Sequence, residues 1–354
     1  MRVLILSPTV FPAVTGNAVT VERWRSALSR KGIDVAVFES RAAVARDFAD
    51  FADRFRPDVF HVHHAFRAGL LLLDPLIASK YGQLPVVASP GGTDIHLDLH
   101  DPARRDAVAR VFRMARVIIA QSPETARSLS RHVPGLDGRI ALVPKSLFWF
   151  GDALFDLRAA AGCGRGNVLF FLPAGIRPVK GNLECLRAFE KVHRARPDAR
   201  FVTAGPEMDA AYAARFRQEI GRLAACASWI GCIEPEAMRS AYDGADVVLN
   251  ASFSEGLSNA LLEAIAAGCP VLATDIPANR GPVLGTGDSA PAGCLYDPYD
   301  AEDFVRKAIG MIDDGERKAR YGRSLLQRRS AWTDTDAEAA GLIRAYESAL
   351  NAGD

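Results

Sequence analysis

Two glutamates, Glu255 and Glu263, have seven residues between them in the segment NASFSEGLSNALLEAIAAGCPVLATD at 250–275. The pattern predicts a short buried strand, a loop, and a helix that begins at Ser258 or Asn259. The free N–H groups and the positive dipole end of such a helix start bind anions. Glu263 is one helical turn beyond Asn259, so the two side chains can face one ligand. A carboxylate there can accept hydrogen bonds from the paired hydroxyls of a ribose.

Gly256, in the loop before this helix, would let the backbone approach a phosphate group closely because it has no Cβ. The same residues also fit a capped core helix that carries two solvated glutamates. Physical chemistry alone leaves these two interpretations open.

Two cations follow another predicted strand, in the segment FLPAGIRPVKGN at 170–182. Arg177 and Lys180 are three residues apart and come after a turn at Gly175. Such a pair can bracket a diphosphate through charge-assisted hydrogen bonds. Two exposed cations near a turn are the alternative interpretation.

The segment at 250–275 resembles the donor-binding signature of the retaining glycosyltransferases of family 4, which have the GT-B fold. The two glutamates, the glycine, and the run A-x-A-x-G-x-P-V-x-A-T-D after Glu263 all match that signature. The resemblance implies that Glu263 holds the donor ribose and that Glu255 contacts the transferred sugar. It also implies that backbone N–H groups help to hold the sugar and diphosphate at Gly256, Leu257, Ser258 and Asn259.

The segment with the two cations resembles the Gly-Arg-x-x-x-x-Lys-Gly pattern of the same family, with a departure in spacing. Here Ile176 separates Gly175 from Arg177, and one residue fewer precedes Lys180. The resemblance implies that Arg177 and Lys180 bind the donor diphosphate and stabilise it as it leaves.

The sequence WIGCI at 229–233 resembles the base-binding segment of the family. Backbone groups near Cys232 and Ile233 would then contact the nucleobase. Backbone recognition leaves little trace in the side chains, so the sequence does not distinguish uridine, guanosine and adenosine as the nucleoside of the donor. The resemblance to the family favours UDP.

A second helix start is predicted at Thr15-Gly16-Asn17, after the first strand. The family has a glycine-rich loop here that reaches toward the donor and the acceptor, which implies donor contact at Gly16 and acceptor contact at Asn17. Together with Arg23, the segment resembles two narrower groups, the glycosyltransferase 1 domain-containing proteins and the bacterial selenosugar synthases. Arg23, six residues beyond Asn17, would face either an acceptor anion or the solvent.

The sequence SPGGTD at 89–94 ends another strand and resembles the Gly-Thr-Asp variant of the family, which a histidine usually precedes. Gly91 stands in the place of that histidine. We expect Thr93 and Asp94 on the acceptor side, with Asp94 as a base or an orienting group. An N-cap for the next helix is the alternative for Asp94.

Further polar residues fall near strand or helix ends. His61 and His63 alternate on a strand and share a face, where they could ligate a metal. No further ligand cluster stands out and the family implies no metal, so we expect His63 at a strand end that lines the cleft on the acceptor side. A packed core histidine is the next alternative. Lys145 stands where many relatives carry Asn-Gly and is another acceptor-side candidate. Asp334 and Asp336 spell the carboxylate pair of metal-dependent transferases, but they precede the terminal helix and are expected to cap it.

Short apolar runs alternate with amphipathic stretches along the chain, which is typical of parallel α/β architecture. Near-continuous Val, Ile and Leu runs suit strands that are covered on both faces. The predicted strands lie at 3–6, 35–38, 59–62, 86–89, 117–120 and 140–143, then at 168–172, 201–204, 229–230, 247–250 and 271–273.

The alternation predicts an α/β fold, and the resemblance to family 4 implies the GT-B type, with two doubly wound, Rossmann-like domains facing a central cleft. We expect an acceptor-side domain at 1–160 and a donor domain at 161–335. Three glycines at 162–166 are interpreted as an interdomain linker. The last helix, at 336–350, can pack back on the first domain or on the second. Ligands bind at the carboxyl ends of the strands in such sheets.

Composition excludes several classes of protein. The 354 residues are 49% apolar and carry 43 basic and 42 acidic side chains, which argues against a nucleic-acid binder. No stretch approaches the roughly 20 apolar residues of a membrane span. The six cysteines are scattered without a CxxC pair, and the short apolar N-terminus does not read as a signal peptide. A cytoplasmic protein without metal or cofactor is expected.

The charge is unevenly distributed along the chain. Residues 1–160 carry 21 basic and 16 acidic side chains, and the remainder carries 22 and 26. Either the first half meets an anionic ligand, or the difference reflects chance and complementary domain faces.

The resemblance implies a metal-independent hexosyltransferase that moves a sugar with retention from a nucleotide sugar, with UDP favoured. The expected acceptor is a small molecule or a glycan, and the basic first half makes an anionic acceptor one of the candidates. The residues leave the identity of the acceptor and the oligomeric state open. A selenosugar or thiosugar synthase and a sugar-nucleotide epimerase are alternatives, as is a non-catalytic sugar-nucleotide binder. An NAD-dependent enzyme is disfavoured because no strand–GxGxxG–helix unit occurs.

Overall fold

The chain folds into two compact units, each with its own sheet. The computed structural model describes residues 1–136, 138–285, 290–315, 321–322, 324–325 and 334–352. One unit comprises Met1–Ser146 with Asp334–Asp354, and the other comprises Leu147–Thr333. The expected boundary at residue 160 is therefore corrected to Ser146, in the segment that follows the last strand of the first sheet.

The first unit contains a parallel sheet with the strand order β2-β1-β3-β4-β5-β6. All six strands predicted for this part of the sequence are present. The strands are β1 Arg2–Ser7, β2 Asp34–Glu39, β3 Val59–His63, β4 Val86–Ser89, β5 Val117–Ala120 and β6 Ile140–Leu142. The helices are α1 Gly16–Arg30, α2 Ala45–Phe55, α3 Pro75–Tyr81, α4 Thr93–His96, α5 Arg105–Met114 and α6 Pro123–His132, with 3-10 turns at Gly69–Leu73 and Asp98–His100.

The terminal helix, Thr335–Asn351, belongs to the first unit. Asp334 caps it by accepting a hydrogen bond from the Ala337 amide at 2.7 Å, as the sequence predicts. Its buried face packs Leu342 and Tyr346 against the apolar side chains of β1, β3, β4 and β5. Burying side chains of this size contributes roughly 1.5–3 kcal/mol each.

The second unit contains a parallel sheet with the strand order β12-β11-β10-β7-β8-β9. The strands are β7 Val168–Pro173, β8 Ala199–Ala204, β9 Ala227–Trp229, β10 Val247–Asn250, β11 Val271–Thr274 and β12 Gly293–Tyr296. The helices are α7 Leu157–Ala160, α8 Asn182–Ala195, α9 Ala210–Arg222, α10 Met238–Asp243, α11 Asn259–Ala267, α12 Pro277–Leu284 and α13 Ala301–Asp313, with 3-10 turns at Pro178–Lys180 and Pro235–Ala237.

One strand escapes the sequence analysis. β12 reads GCLY, which has no β-branched residue and begins with a glycine. Gly293 is required there, because a Cβ would lie 1.8 Å from the Val271 carbonyl oxygen of the neighbouring strand. Close backbone approach, rather than side-chain pattern, determines this edge strand.

The three glycines at 162–166 do not link the units, so that interpretation was wrong. Leu157 of α7 is fully buried in the core of the second unit, and Cys163 packs against the same core. The glycines therefore form a turn inside the second unit, immediately before β7. The apolar side chains that precede them anchor the segment there.

The observed division also changes the charge argument. Counted over the two units, the first has 21 basic and 19 acidic side chains, and the second has 22 and 23. The terminal segment brings five acidic residues and one basic residue into the first unit. The basic excess that suggested an anionic acceptor thus falls to +2, which no longer favours an anionic acceptor.

No helix in the described ranges is long and apolar enough to cross a membrane.

Candidate active site

The loop between β10 and α11 has the predicted strand–loop–helix form. Ser258 caps α11 by accepting a hydrogen bond from the Leu261 amide at 3.4 Å. Asn250, the last residue of β10, donates from Nδ2 to Ser258 Oγ at 3.1 Å. The cap residue is therefore held by the strand that precedes it, which keeps the loop of Gly256 and Leu257 short and ordered.

Lys180 and Glu255 form an ion pair at the carboxyl edge of the second sheet. Lys180 Nζ lies 2.5 Å from Glu255 Oε1, and the two side chains are only 19% and 12% exposed. Ser252 Oγ donates to the same carboxylate oxygen at 2.7 Å. The structure thus brings together, from two separate loops, the residue predicted to bind the diphosphate and the residue predicted to contact the sugar.

The electrostatics of this pair favour an ionised carboxylate. Burial of Glu255 opposes ionisation, but the charge of Lys180 and the hydrogen bonds from Lys180 and Ser252 outweigh it and lower the pKa. The Arg177 charge acts in the same direction. Glu255 is therefore a fixed anion at neutral pH, surrounded by two cations.

The turn that carries the two cations is locked onto the β10–α11 loop. The Phe253 amide donates to the Val179 carbonyl at 2.9 Å. Gly181 has a positive φ of 62°, and a Cβ there would lie 2.2 Å from the Ala251 carbonyl oxygen. Only glycine fits both conditions. At the same turn, the Arg177 amide donates to Asn182 Oδ1 at 3.3 Å, which fixes Arg177 at the start of α8.

Glu263 faces a tyrosine that the sequence analysis missed. Tyr242 Oη donates to Glu263 Oε2 at 2.8 Å, and burial of the phenol together with the Glu263 charge raises the pKa of Tyr242. The hydroxyl therefore stays protonated and orients the carboxylate. Asn259 begins α11, one turn before Glu263, and both are half-buried. No local signal links Tyr242 to this helix.

Cys232 and Ile233 follow β9 at the same edge of the sheet. The Gly205 amide at the end of β8 donates to the Gly231 carbonyl at 2.7 Å, and Trp229 Nε1 donates to the Gly205 carbonyl at 3.1 Å. These bonds hold the ends of β8 and β9 together. Cys232 is exposed and Ile233 is buried, so the backbone between them is presented at the edge.

In the first unit, Gly16 and Asn17 lie at the start of α1. Thr15 caps the helix by accepting from the Ala18 amide at 3.2 Å, and its hydroxyl lies 2.5 Å from that of Thr9. Gly16 is exposed and Asn17 is half-buried at this helix start. The predicted helix start is confirmed, and both residues follow the carboxyl end of β1.

The expectation that Arg23 faces an acceptor or the solvent is wrong. Its side chain is 3% exposed and binds Glu338 of the terminal helix through Nε at 2.9 Å and Nη2 at 3.0 Å. Trp24 Nε1 donates to the same carboxylate at 2.8 Å. Burial opposes ionisation of Glu338, but Arg23 outweighs it and lowers the pKa. The terminal helix, 315 residues away in the sequence, covers the face of α1 that carries Arg23.

His63 is buried at the end of β3 instead of lining an open surface. Its Nδ1 lies 3.0 Å from Ser89 Oγ, and His61 Nε2 lies 2.9 Å from the same hydroxyl. Burial lowers the pKa of both rings, to about 3 for His61. Lys145, which is only 6% exposed, is among the charges that lower the pKa of His63. Two neutral imidazoles thus share a serine, and among the described residues no group of three or more His, Cys, Asp and Glu could hold a metal.

Asp94 is neither an N-cap nor an open base. It is fully buried in the second position of α4, and both carboxylate oxygens accept backbone hydrogen bonds. The donors are the amides of Ala65 at 2.8 Å, Gly91 at 3.1 Å, Gly92 at 3.0 Å and Ile95 at 3.1 Å. Asp94 therefore joins the loops after β3 and β4, which fits the expected orienting role and not that of a base.

His64 explains the glycine that replaces the family's histidine. A Cβ on Gly91 would lie 2.7 Å from His64 Cδ2, so the imidazole of His64 already fills that space. His64 has a positive φ of 82°, accepts the Arg67 amide on Nδ1 at 3.1 Å, and places Nε2 2.8 Å from Thr93 Oγ1. Thr93 is thereby fixed at the start of α4. The unusual backbone of His64 left no signal in the sequence.

The two parallel six-stranded sheets with their helices match solved structures of the GT-B type. Sucrose-phosphate synthase from Thermosynechococcus elongatus aligns with a TM-score of 0.80 and 16% identity over 99% of each chain. HepE of Anabaena in complex with UDP-glucose aligns with a TM-score of 0.79 and 16% identity over 98% of this chain and 100% of its own. The protein has the GT-B fold.

Sequence comparisons show which protein families and relatives this chain is similar to. The model of Glycosyltransferase Family 4 matches residues 39–146, and that of Glycosyl transferases group 1 matches residues 166–314. Glycosyltransferase 1 domain-containing protein 1 of Xenopus tropicalis is 24% identical over 90% of each chain. A phosphatidyl-myo-inositol mannosyltransferase of Mycolicibacterium smegmatis is 30% identical over 53% of this chain and 47% of its own. Both parts of the chain therefore match models of glycosyltransferase domains.

Proposed function

We propose that this glycosyltransferase is a metal-independent hexosyltransferase that transfers a sugar with retention from a UDP-sugar to a small-molecule or glycan acceptor. The observation that carries the proposal is the Lys180–Glu255 pair, which joins the turn before α8 to the loop that precedes the N-terminus of α11. The likeness to HepE, whose structure holds UDP-glucose, supports the choice of donor.

Different residues of the second unit bind the ribose, the diphosphate and the base of the donor. The carboxylate of Glu263, oriented by Tyr242, accepts hydrogen bonds from the ribose hydroxyls. Arg177, Lys180 and the first amides of α11 take the diphosphate, since cations and helix N-termini both bind phosphate oxygens. The backbone at 232–233 contacts the base.

Stabilisation of the departing diphosphate is the main catalytic contribution of these groups. A preorganised donor aimed at developing charge contributes about 3 kcal/mol in enzymes for which it has been removed. The leaving phosphate can itself take the proton of the acceptor on the same face of the sugar, so the step requires no protein nucleophile. Glu255, held by Lys180 and Ser252, positions the sugar hydroxyls and does not attack.

A donor panel tests the proposal. UDP-, GDP- and ADP-sugars are compared by thermal shift and by slow hydrolysis with the wild-type chain. We expect UDP-sugars to stabilise the protein and to be hydrolysed, and Glu263→Ala to abolish the stabilisation. If no nucleotide sugar stabilises the chain and Glu263→Ala changes nothing, the proposal is wrong. Donor epimerisation without any acceptor would instead indicate an epimerase.

Lys180→Ala is expected to weaken UDP-sugar binding by about tenfold or more, because a charge-assisted contact to phosphate is lost. The matched control is Lys191→Ala, since Lys191 pairs with Glu302 on an exposed surface. Isothermal titration with UDP and a UDP-sugar measures both variants. Equal and negligible effects would remove Lys180 from the site.

A further inference from the structure

Asn279 of α12 is a buried polar residue that no part of the proposed donor site explains. Its side chain is fully buried. Nδ2 lies 3.2 Å from Asn250 Oδ1, 3.0 Å from the Thr274 carbonyl oxygen and 3.1 Å from Thr274 Oγ1. Three oxygens around one amide nitrogen fix the orientation of the side chain. They also join α12 to the ends of β10 and β11.

The hydrogen bonds continue from Asn279 into the loop that carries Glu255. Thr274 Oγ1 donates to the Ser252 carbonyl at 2.6 Å, and the Ser252 amide donates to Asn250 Oδ1 at 3.3 Å. Ser252 Oγ then donates to Glu255 Oε1 at 2.7 Å. We call Asn250, Ser252, Thr274 and Asn279 the support network.

A second branch reaches the start of α11. Asn250 accepts from Asn279 on Oδ1 and donates from Nδ2 to Ser258 Oγ, the cap of that helix. The position of Asn250 therefore depends on Asn279. All four side chains of the support network are at most 5% exposed, so water does not compete for these bonds.

The amide of Asn279 is a costly way to fill this space. Within the described part of the chain, its Oδ1 is buried without a hydrogen-bond partner, and such a group costs roughly 1–3 kcal/mol. An apolar side chain would avoid that cost but would leave Asn250 and Thr274 without their shared donor. The cost is explained if the amide serves to hold the loop.

We propose that Asn279, acting through Thr274 and Asn250, is a positioning residue that holds Glu255 and the start of α11 in the geometry that the sugar of the donor requires. This inference deepens the proposed function, on which its kinetic readout depends. The nucleoside end of the donor is assigned to Glu263 and the 232–233 backbone, which are not members of the support network. Loss of Asn279 should therefore affect sugar transfer more than nucleotide affinity.

The kinetic test uses Asn279→Ala and Thr274→Val in the whole chain. A displacement of about 1 Å at a reacting group can reduce a rate up to about 100-fold. We expect hydrolysis of the UDP-sugar to fall at least about tenfold in kcat while the Kd for UDP changes less than about threefold. Thr274→Ser keeps the hydroxyl and should restore most of the rate.

Two control variants lose comparable bonds elsewhere in the same unit. Asn167→Ala removes an amide that bonds to the Gly164 amide and the Asp198 carbonyl, at the amino end of β7. Ser240→Ala removes a hydroxyl that bonds to the backbone of Phe155. Both should leave kcat and the Kd for UDP unchanged.

Amide hydrogen exchange gives a readout that does not depend on the activity. Peptides that cover residues 251–258 should exchange faster in Asn279→Ala and Thr274→Val than in the wild type, and not in the two controls. Unchanged exchange in this loop would overturn the positioning role. So would a parallel loss of kcat and UDP affinity in all four variants, which indicates general destabilisation. If the wild type binds no nucleotide but the two variants still exchange faster in this loop, the proposed function is refuted and the positioning role is supported.

Discussion

At the scale of single residues, two buried or half-buried carboxylates of this protein are kept ionised by cations far away in the sequence. Lys180 meets Glu255 across 75 residues, and Arg23 meets Glu338 across 315. Both carboxylates have a lowered pKa because a cation outweighs the cost of burial. The first pair lies at the carboxyl edge of the second sheet with both side chains partly exposed, whereas the second pair is enclosed.

The buried histidines predict a pH dependence of stability. Burial lowers the pKa of His61 to about 3 in the folded state, against about 6.5 in the unfolded chain. Only the unfolded state then takes up a proton as the pH falls from about 6.5 toward 3, so the folded state loses stability over that window. We expect His61→Gln to flatten this dependence, measured by urea unfolding at pH 7 and pH 4.5.

The control for that measurement is His100→Gln, because His100 is exposed. It should leave the pH dependence unchanged. An identical slope in the wild type and in His61→Gln would show that the buried imidazole does not contribute.

At the scale of elements, the terminal helix completes the first unit. Its residues Leu342, Tyr346 and Ala349 are buried against the sheet, and Tyr346 Oη lies 2.8 Å from His61 Nδ1. The helix approaches β6 closely at one point, where a Cβ on Gly341 would lie 2.8 Å from a methyl group of Val143. A helix usually avoids glycine because of its backbone entropy, so packing explains this one.

Gly341→Leu is therefore expected to destabilise the protein by about 1–3 kcal/mol through overpacking. The matched control is Gly221→Leu in α9, where a Cβ would meet no atom within 4 Å. That change should be neutral or stabilising by about 0.5 kcal/mol, since leucine favours helix. Denaturant unfolding of both variants tests the difference, and equal effects would contradict close packing at Gly341.

At the scale of the whole molecule, the chain has two units with separate cores. The residues assigned to the donor all lie in the second unit, except Gly16. Because the second unit is nearly neutral in charge, the proposed phosphate site would rest on a few placed groups and not on net charge. Arg23 and His63 were expected to face an acceptor or an open surface, and both are buried in the first unit. Asp94 is buried there as well, which is consistent with an orienting group and not with an open base.

We expect UDP to stabilise the second unit selectively. At about 100 times its Kd, a ligand that binds only the folded state contributes about 2.7 kcal/mol. Hydrogen exchange with and without UDP should show slower exchange in peptides from 168–284, and little change in peptides from 34–89. Equal protection of both sets, or of neither, would contradict this assignment.

The alternation of short apolar runs with amphipathic stretches was sufficient to predict eleven of the twelve described strands. The GT-B fold was implied by the resemblance of the segment at 250–275 to family 4. The helix start at Ser258 and the spacing of Glu255 and Glu263 could also be recognised from the sequence, because hydrophobic periodicity and helix capping are local properties of the chain. β12 was missed, since backbone proximity to Val271 and not its own residues selects its glycine.

Which partner each polar side chain takes was decided only by the tertiary fold. Arg23 had an acceptor or the solvent as equal candidates until the terminal helix supplied Glu338. Asp94 had two local roles until the Ala65 amide and three others filled its carboxylate. Tyr242 and Asn279 gave no signal at all, because hydrogen bonds between distant segments depend on how the strands and helices pack.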